Sequence, residues 1–405
     1  MSIELDQPAT AGAASPTERP LKYDAFFDDL PLSAPGTLGG RYLRQFWLPV
    51  ARSVDIPNGR AKTIKIMNQE FTLYRGTAGT AHLVDNRCSH RGVQLSVGYV
   101  EEDSIRCLYH GWKYGADGQC VERPGEAAGI PPKAHLRGYP TVEHLGYIWG
   151  YFGEGAAPPF PSIPGFEGEG LVECFYQHVP CNYFQALEND WDLYHAAFTH
   201  RTGGMHGVDF DRMVATDQLV ETDFGVVRRN EVGPGLVFAS TLLQPTTVRL
   251  VIPPNNAIHA VGGSPRFRPA YGITVPIDDH NCFFFVTEMV FLTGQQAEDY
   301  HARFGDVQAL RNQAPTAFDI ALEIRSTTKS ISDFKDHPTL VAIEDLCAQG
   351  GQGRIVDRHA ELLGRTDKGI AFMRRIWQRE LQALSEGRPT KAWKFMDEVP
   401  KGSFG

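Results

Sequence analysis

CSHRG at residues 88–92 and CLYHGWKY at residues 107–114 are the two stretches that decide the fold class of this chain. Each stretch carries one cysteine and one histidine, in the same order, and sixteen residues separate His90 from Cys107. Glycines within and beside both stretches permit tight loops close to a buried group. The pattern C-x-H-x16-C-x2-H therefore predicts two loops that jointly bind metal through four side chains: Cys88, His90, Cys107 and His110.

Two cysteines and two histidines can bind either of two metal groups. They can hold a single tetrahedral Zn2+, or a two-iron, two-sulfide cluster with both thiolates on one iron and both imidazoles on the other. Zinc fingers usually pair cysteine with cysteine and histidine with histidine, whereas each loop here offers one of each. This order favours the iron–sulfur cluster, with zinc and a chance alignment as the remaining alternatives.

The composition excludes several other classes of protein. A net charge of −9 without a dominant basic patch argues against nucleic-acid binding. No apolar run approaches 18 residues, so we expect no membrane-spanning segment, and the first residues lack the apolar core of a signal peptide. Seven cysteines, an odd and sparse set, do not indicate a disulfide framework. We therefore expect a cytoplasmic protein.

The length of 405 residues predicts two domains. Residues 1–20, rich in Ala, Pro, Thr and Ser, predict a flexible tail. Short β-like runs with Gly, Asp and Asn between them predict an all-β domain over residues 21–160, with its core at about 42–153. The stretch 154–170 is dense in Pro and Gly and predicts a connection. Residues 161–405 have strands in the middle and helices at the ends, which predicts an α+β domain.

A second candidate metal site lies in ALENDWDLYHAAFTHR, which ends at Arg201. The stretch predicts a helix that begins after Asn182 as its N-cap. Asp192 and His195 share one face of such a helix. His195 and His200 stand about 140° apart on an ideal helix. Both can reach one metal only if the helix is distorted, for example by a π-bulge, or ends between them.

These motifs together resemble the Rieske non-haem iron aromatic ring-hydroxylating oxygenases, in their catalytic (alpha) subunit and their phthalate-dioxygenase-like branch. Both cysteine–histidine stretches are similar to the Rieske signature. Respiratory Rieske proteins carry two further cysteines, and Val93 and Tyr109 stand at those positions here. The Asp-x2-His-x4-His spacing resembles the iron-binding helix of these oxygenases. LVAIEDLCAQGGQGRIVDRHAELLGRTD, from residue 340 to 367, resembles their late segment.

The resemblance implies an α+β fold class: an N-terminal all-β Rieske iron–sulfur domain followed by a helix-grip catalytic domain with a central antiparallel sheet. It implies one Rieske 2Fe-2S cluster and one mononuclear non-haem Fe(II) per chain. The iron ligands would form a facial triad with open positions for O2, and they are His195, His200 and Asp345. Three other carboxylates compete for the third place: Glu344, Asp333 and Asp357.

Asp192 receives a separate role from the resemblance, as an electron-transfer bridge. It would hydrogen-bond the ligand His195 and reach His110 of a neighbouring chain, which implies a cyclic assembly with a homotrimer as the default. A carboxylate behind a metal-bound histidine fixes its tautomer and orientation. The chain has no credible nucleotide-binding glycine motif. NAD(P)H would therefore act indirectly, through a separate flavin and iron–sulfur reductase, with a ferredoxin as an optional carrier.

The expected function is that of a terminal oxygenase component that uses O2 to hydroxylate (dioxygenate) a small aromatic substrate, with carboxylated substrates included. The alternative is a Rieske monooxygenase that carries out hydroxylation or O- or N-demethylation. From a different class, an electron-transfer or zinc-stapled binding protein also stays open. We expect the substrate pocket to be lined by residues 200–300 and by the iron helix. Four arginines are candidates for binding a carboxylate: Arg201, Arg249, Arg266 and Arg268.

Overall fold

The computed structural model describes residues 22, 24–126, 129, 131, 133–202, 209–234, 236–252 and 268–396, so the predicted tail lies outside the described residues. The first half begins with helix α1 (Leu38–Leu43) and continues as strands. These are β1 (Trp47–Arg52), β2 (Ala61–Ile66), β3 (Gln69–Arg75), β4 (Ala81–Asp85), β5 (Tyr99–Glu101), β6 (Ser104–Arg106), β7 (Lys113–Tyr114), β8 (Cys120–Glu122), β9 (Gly138–Tyr139), β10 (Thr141–His144) and β11 (Tyr147–Tyr151).

Three small antiparallel sheets form this first half, in the orders β1-β11-β10, β2-β3-β4-β9 and β5-β6-β7-β8. The third sheet is built from strands of two or three residues, and its β6–β7 turn carries the second cysteine–histidine stretch. The first stretch follows β4 directly. Tight antiparallel turns thus present both candidate cluster loops, as the density of glycine predicts.

The second half contains strands β12 (Leu171–Val179), β13 (Gln218–Glu221), β14 (Gly225–Gly233), β15 (Leu236–Leu243), β16 (Thr247–Ile252), β17 (Arg268–Asp278) and β18 (Asn281–Val290). Its helices are α2 (Tyr183–Trp191), α3 (Ala196–Thr199), α4 (Phe210–Thr216), α5 (Gly294–Phe304), α6 (Val307–Arg311), α7 (Ala317–Ser326), α8 (Leu340–Gly351) and α9 (Lys368–Ser385). The strands form one antiparallel sheet in the order β12-β18-β17-β16-β15-β14-β13. This confirms the predicted α+β class with a central antiparallel sheet.

One face of the large sheet packs against helix α2, and the other face points away from this helix. Side chains alternate between faces along a strand. On β17 the Thr274 hydroxyl donates a 2.9 Å hydrogen bond to Asp190 of α2, so Thr274 faces that helix. Phe284 is the cross-strand partner of Thr274 and shares this inner face. Tyr271, three residues earlier, faces the other way together with its partner Arg249.

Helix α2 is fixed against the late segment of the chain by a buried ionic network. The Glu188 carboxylate accepts hydrogen bonds from Arg358 at 2.7 Å and from Arg374 at 2.6 Å. The guanidinium of Arg358 thus pairs with Glu188 and not with the neighbouring Asp357. Removing one member of such a buried network leaves an uncompensated charge and typically costs about 3–5 kcal/mol.

Direct hydrogen bonds join the first sheets to the large one. The Met67 N–H donates to the Pro276 carbonyl at 2.8 Å, and the Tyr147 hydroxyl donates to the Phe175 carbonyl at 2.7 Å. No helix in the described part of the chain combines the length and apolar character needed to cross a bilayer.

Candidate active site

The two cysteine–histidine stretches fold into loops with the same backbone hydrogen bonds. The Cys88 N–H donates to the carbonyl five residues later at 2.9 Å, and its own carbonyl accepts from Gly92 at 2.9 Å. The Cys107 N–H likewise donates to the carbonyl five residues later at 2.8 Å, and the Cys107 carbonyl accepts from Gly111 at 3.1 Å. The two glycines have φ values of 72° and 74°, a region that favours glycine over other residues. Two equal loops thus present equal ligand sets.

The side chains of the loops separate into a buried and an exposed pair. Cys88 and Cys107 are buried, each 3% exposed, whereas His90 and His110 are exposed with ring centroids 4.6 Å apart. The four side chains do not converge on one ion, because the one described set of metal-ligating groups whose atoms all lie within 4.8 Å of one another is elsewhere. This separation fits a two-iron cluster and disfavours a single zinc.

Tyr114 lies behind the first loop, with its hydroxyl 3.1 Å from Cys88 Sγ and 3.0 Å from Ser89 Oγ. A hydrogen bond to a ligand sulfur stabilises the reduced state of an iron–sulfur cluster. We expect Tyr114→Phe to lower the midpoint potential of the cluster. Each tenfold decrease in the equilibrium constant for its one-electron reduction lowers the potential by roughly 60 mV. Spectroscopic redox titration measures the shift. An unchanged potential would mean that the Tyr114 hydroxyl bonds only to Ser89 and not to the Cys88 sulfur.

The second site is built where helix α2 stops. Asp192 has extended backbone angles (φ −78°, ψ 114°) and ends the helix, and the short helix α3 then runs between His195 and His200. The predicted N-cap is confirmed, since the Asn182 side chain accepts from the N–H of Phe184. The helix is interrupted, as the approach of both histidines to one metal requires, but not between the two histidines as predicted. The break precedes both histidines, and their ring centroids lie 5.3 Å apart.

Asp345 on α8 completes this site. Its Oδ1 lies 3.5 Å from His195 Nε2 and 3.4 Å from His200 Nε2. Ligand atoms at about 2.1 Å from one metal in neighbouring positions stand about 3 Å apart, so a small inward movement brings all three onto one ion. Two histidines and one carboxylate are the ligand set of non-haem iron oxygenases. Asp333 and Asp357, by contrast, are exposed and form local backbone hydrogen bonds.

The electrostatics keep Asp345 ionised. Burial by itself raises the pKa of this carboxyl, but the hydrogen bond with His195 and the charge of His200 outweigh burial and lower the pKa. Asn189 also donates to Oδ1 at 3.1 Å. An ionised carboxylate is the form that binds metal.

Glu344 orients His200 rather than competing with Asp345. Its side chain is fully buried, and Oε2 lies 3.0 Å from His200 Nδ1. A hydrogen bond at Nδ1 leaves Nε2 free to bind metal. The sequence offered Glu344 only as a rival ligand, because neighbouring carboxylates on a helix cannot be ranked without the position of the histidine.

We expect Glu344→Gln to weaken iron binding at the second site by roughly 10-fold or more, since substitution of such supporting groups typically costs 10–100-fold. The amide is a poorer acceptor for the Nδ1–H of His200 than the carboxylate is. Titration of Fe(II) into protein stripped of the mononuclear ion measures the affinity. Unchanged affinity would show that the main chain alone orients His200.

Asp192 contacts the neighbouring histidine mainly through its main chain. The Asp192 carbonyl accepts from His195 Nδ1 at 2.5 Å, whereas the carboxylate lies 3.9 Å from the same nitrogen. The carboxylate oxygens instead accept from the N–H groups of Tyr194, at 2.9 Å, and His195, at 3.2 Å. Burial raises the pKa of Asp192. The predicted contact with a neighbouring chain stays a prediction.

An inner cavity of about 40 Å3 reaches Asp345 between the large sheet, α2 and α8. Its apolar walls are Phe175, Val179, Ala186, Phe284, Val341 and Ala342. In the described lining, Ala186 and Asp190 lie on the iron helix and Phe284 lies within residues 200–300, as predicted, whereas the other lining residues come from outside both stretches. Polar side chains also line the cavity, and burial raises the pKa of one of them, Asp190, to about 8.

None of the four candidate arginines lines this cavity among the described residues. Arg201 is exposed, and Arg266 lies outside the described residues. Arg249 is buried on the outer face of the sheet, and Arg268 lies 3.3 Å from Glu288. Sequence reasoning missed the arginine that does line the cavity, Arg311.

Residues 46–140 match the Rieske [2Fe-2S] domain family, which indicates a 2Fe-2S cluster. This domain, followed by an α+β part with a two-histidine, one-carboxylate site, defines the class of Rieske-type oxygenases. The chain is 28% identical to the oxygenase subunit of 5,5'-dehydrodivanillate O-demethylase of Sphingobium sp. (strain NBRC 103272 / SYK-6), over 90% of this chain and 82% of the relative. It is also 28% identical to the oxygenase subunit of phthalate 4,5-dioxygenase of Pseudomonas putida, over 86% and 83%.

The fold is also that of a solved structure, the reduced complex between oxygenase and ferredoxin in carbazole 1,9a-dioxygenase. The TM-score is 0.59 at 20% identity, over 86% of this chain and 94% of that chain. Residues 46–140 therefore carry a Rieske [2Fe-2S] domain, and over most of its length the chain is similar to oxygenase subunits of Rieske-type non-haem iron oxygenases, among them that of phthalate 4,5-dioxygenase.

Proposed function

We propose that this chain is the terminal oxygenase component of a system that hydroxylates a small aromatic substrate with O2 and electrons from an NAD(P)H reductase. The observation that carries this proposal is the meeting of His195, His200 and Asp345 in a chain that also has a Rieske domain. An electron carrier or a zinc-stapled binding protein has no use for a second, three-ligand site beside a cavity.

The geometry of the two sites supports a proposal for the residues that hold the two metal groups. We assign the cluster to the paired loops at Cys88 and Cys107 and the iron to the three converging side chains. When bound, the cluster supplies single electrons, and the iron supplies open coordination positions for O2. The chain itself orients both iron-binding histidines, through the Asp192 carbonyl and the Glu344 carboxylate. The apolar walls of the inner cavity exclude water from beside Asp345.

We propose that partner proteins bind at the exposed edges of the cluster loops. His90 and His110 are exposed, and Leu108 and Tyr109, which precede His110 in the second loop, are 50% and 54% exposed. An apolar rim around imidazole edges suits both an electron donor and a neighbouring copy. We propose a homotrimer in which Asp192 of one chain meets His110 of the next, and a separate reductase, with or without a ferredoxin. We also propose a cytoplasmic setting, consistent with seven free cysteines.

Dioxygenation and demethylation use the same iron ligands, and the relatives include enzymes named for each. Product analysis separates the two functions. A dioxygenase places both atoms of O2 in the product, whereas a demethylase releases formaldehyde from a methoxy substrate. We propose dioxygenation as the main function and monooxygenation, including O- or N-demethylation, as the alternative.

The experiment that tests the proposal is the analysis of metal, acid-labile sulfide and visible spectrum in protein purified without oxygen. We expect about two sulfides and about three irons per chain, with a spectrum that dithionite bleaches. An aromatic substrate should then speed oxidation of the reduced cluster by O2. Zinc without sulfide would overturn the oxygenase proposal.

A further inference from the structure

One buried arginine of the large sheet binds the point at which helix α2 ends. Arg228 lies on β14 and is fully buried. Its Nη1 donates to the carbonyl of Trp191, the last residue of α2, at 3.2 Å. The next residue, Asp192, ends the helix and begins the turn that leads to His195. The sheet therefore contacts the backbone at the position where the chain leaves α2.

A buried carboxylate fixes the guanidinium of Arg228 in turn. Asp217, between α4 and β13, accepts from Nε at 3.0 Å and from Nη2 at 2.8 Å, and its side chain is 2% exposed. The Tyr194 hydroxyl donates to the same carboxylate at 3.3 Å, and the Tyr194 ring centre lies 5.1 Å from the guanidinium. Two parallel hydrogen bonds fix the orientation of such a pair. Residues on both sides of Asp192 are thus bound to one rigid unit.

Helix α9 leaves space for this unit at its second residue, Gly369. The Gly369 carbonyl accepts from Trp191 Nε1 at 3.1 Å. A Cβ at this position would lie 2.7 Å from Arg228 Nη1, the same atom that donates to the Trp191 carbonyl. Alanine is more favourable than glycine within a helix. The guanidinium that the glycine admits accounts for the less favourable residue.

We propose that Arg228 and Asp217 form a clamp that positions His195 against Asp345 and so sets how tightly the second site holds its iron. The inference rests on the proposed function, which assigns the iron to this site. The His195 ring is bound to the Asp192 carbonyl, so a movement of the turn moves the ring with it. Metal sites tolerate displacements of only about 0.5 Å. Arg228 and Asp217 touch no metal ligand themselves and act only as positioning residues.

Gly369→Ala tests the clamp without removing a charge. The added methyl group displaces Nη1 of Arg228 from the Trp191 carbonyl. We expect the affinity for Fe(II), titrated into the full chain stripped of the mononuclear ion, to fall roughly 10-fold, as for other groups that support a metal ligand. Gly351→Ala on α8 is the matched control, because a Cβ there meets nothing within 4 Å outside its own helix. We expect this control to leave the affinity unchanged.

Arg228→Lys keeps the charge but loses the paired hydrogen bonds. We expect the affinity for Fe(II) to fall roughly 10- to 100-fold, and the electron paramagnetic resonance spectrum of the iron, probed with nitric oxide, to change. Arg75→Lys is the control, since Arg75 is a buried arginine with the same two-bond pairing, to Glu143 in the first half. Both variants should lower the melting temperature, but only Arg228→Lys should change the iron site.

The cluster spectrum reports whether each variant is folded, and if Arg228→Lys does not fold, Gly369→Ala decides the test. Unchanged Fe(II) affinity in either folded variant overturns the inference. An equal loss of affinity in Arg75→Lys also overturns it, because general stability would then explain the effect. These outcomes leave the proposed function in place, since that proposal fails only on the metal and sulfide content of the unaltered protein.

Discussion

Asp345→Ala is expected to remove the mononuclear iron and all substrate-dependent turnover while leaving the visible spectrum of the cluster unchanged. Among the described residues, Asp345 is the one carboxylate that lies within 3.5 Å of nitrogens of both His195 and His200. Two imidazoles alone bind Fe(II) weakly, since oxygen ligands complete its preferred set. Iron content should fall from about three to about two per chain, with sulfide unchanged at about two.

Asp333→Ala serves as the control for this prediction, because Asp333 is a rival carboxylate that is exposed and only caps a short turn. We expect it to keep both the iron content and turnover. Full iron content in Asp345→Ala would contradict the assignment of the third ligand. Loss of the cluster together with the iron would mean that the variant is misfolded, and Asp345→Asn, which keeps the shape of the side chain, then decides.

Asp192→Asn is expected to retain both metals and to slow electron transfer from the cluster to the iron by roughly 10- to 100-fold, the usual cost of losing a partner behind a metal ligand. The His195 ring is held by the Asp192 carbonyl, which the substitution preserves. What changes is the carboxylate, the group proposed to face His110 of the next chain. Rapid mixing of reduced protein with substrate and O2 measures the rate of cluster oxidation.

Asp357→Asn is the matched control for Asp192→Asn. Asp357 accepts a hydrogen bond from the N–H two residues later, at 3.0 Å, just as Asp192 accepts from Tyr194. Asp357 is exposed. Cluster oxidation at the unaltered rate in Asp192→Asn would show that the carboxylate only shapes the turn, and loss of iron would assign it to holding His195.

The cluster loops could be predicted because their determinants are local. A cysteine, a histidine and a glycine within five residues set each loop, and the repeat of the pattern identifies the pair. The backbone hydrogen bonds at Cys88 and Cys107 bear this out. The α+β class was similarly accessible, since alternating strands and amphipathic helices are properties of short windows.

The geometry of the second site could not be read in the same way. The helix break at Asp192 has no proline or glycine to announce it, and it depends on side-chain oxygens that accept from the Tyr194 and His195 N–H groups. The role of Glu344 as the hydrogen-bond partner of His200 depends on where α8 packs relative to that histidine. This last contact is a long-range relation, because Glu344 and His200 lie 144 positions apart in the sequence.

The position of Arg311 beside the inner cavity could also not be predicted from the sequence. The sequence predicts a pocket lined by residues 200–300, and the four candidate arginines lie in that range. Strand β12 instead pairs with β18, so residues from before the iron helix form a wall of the cavity. Strand order, which no local pattern specifies, brings Gln177 next to Arg311.

The exposure of His90 and His110 has a consequence for how this protein can be observed. The potential of an iron–sulfur cluster depends on how far water reaches its ligands. Any molecule that covers these imidazole edges removes that water, whether it is another copy of the chain or an electron donor. We therefore expect the midpoint potential of the cluster to change as the protein is diluted, and to become constant when the surface around His90 and His110 is fully covered. The dependence of the potential on concentration then gives the association constant.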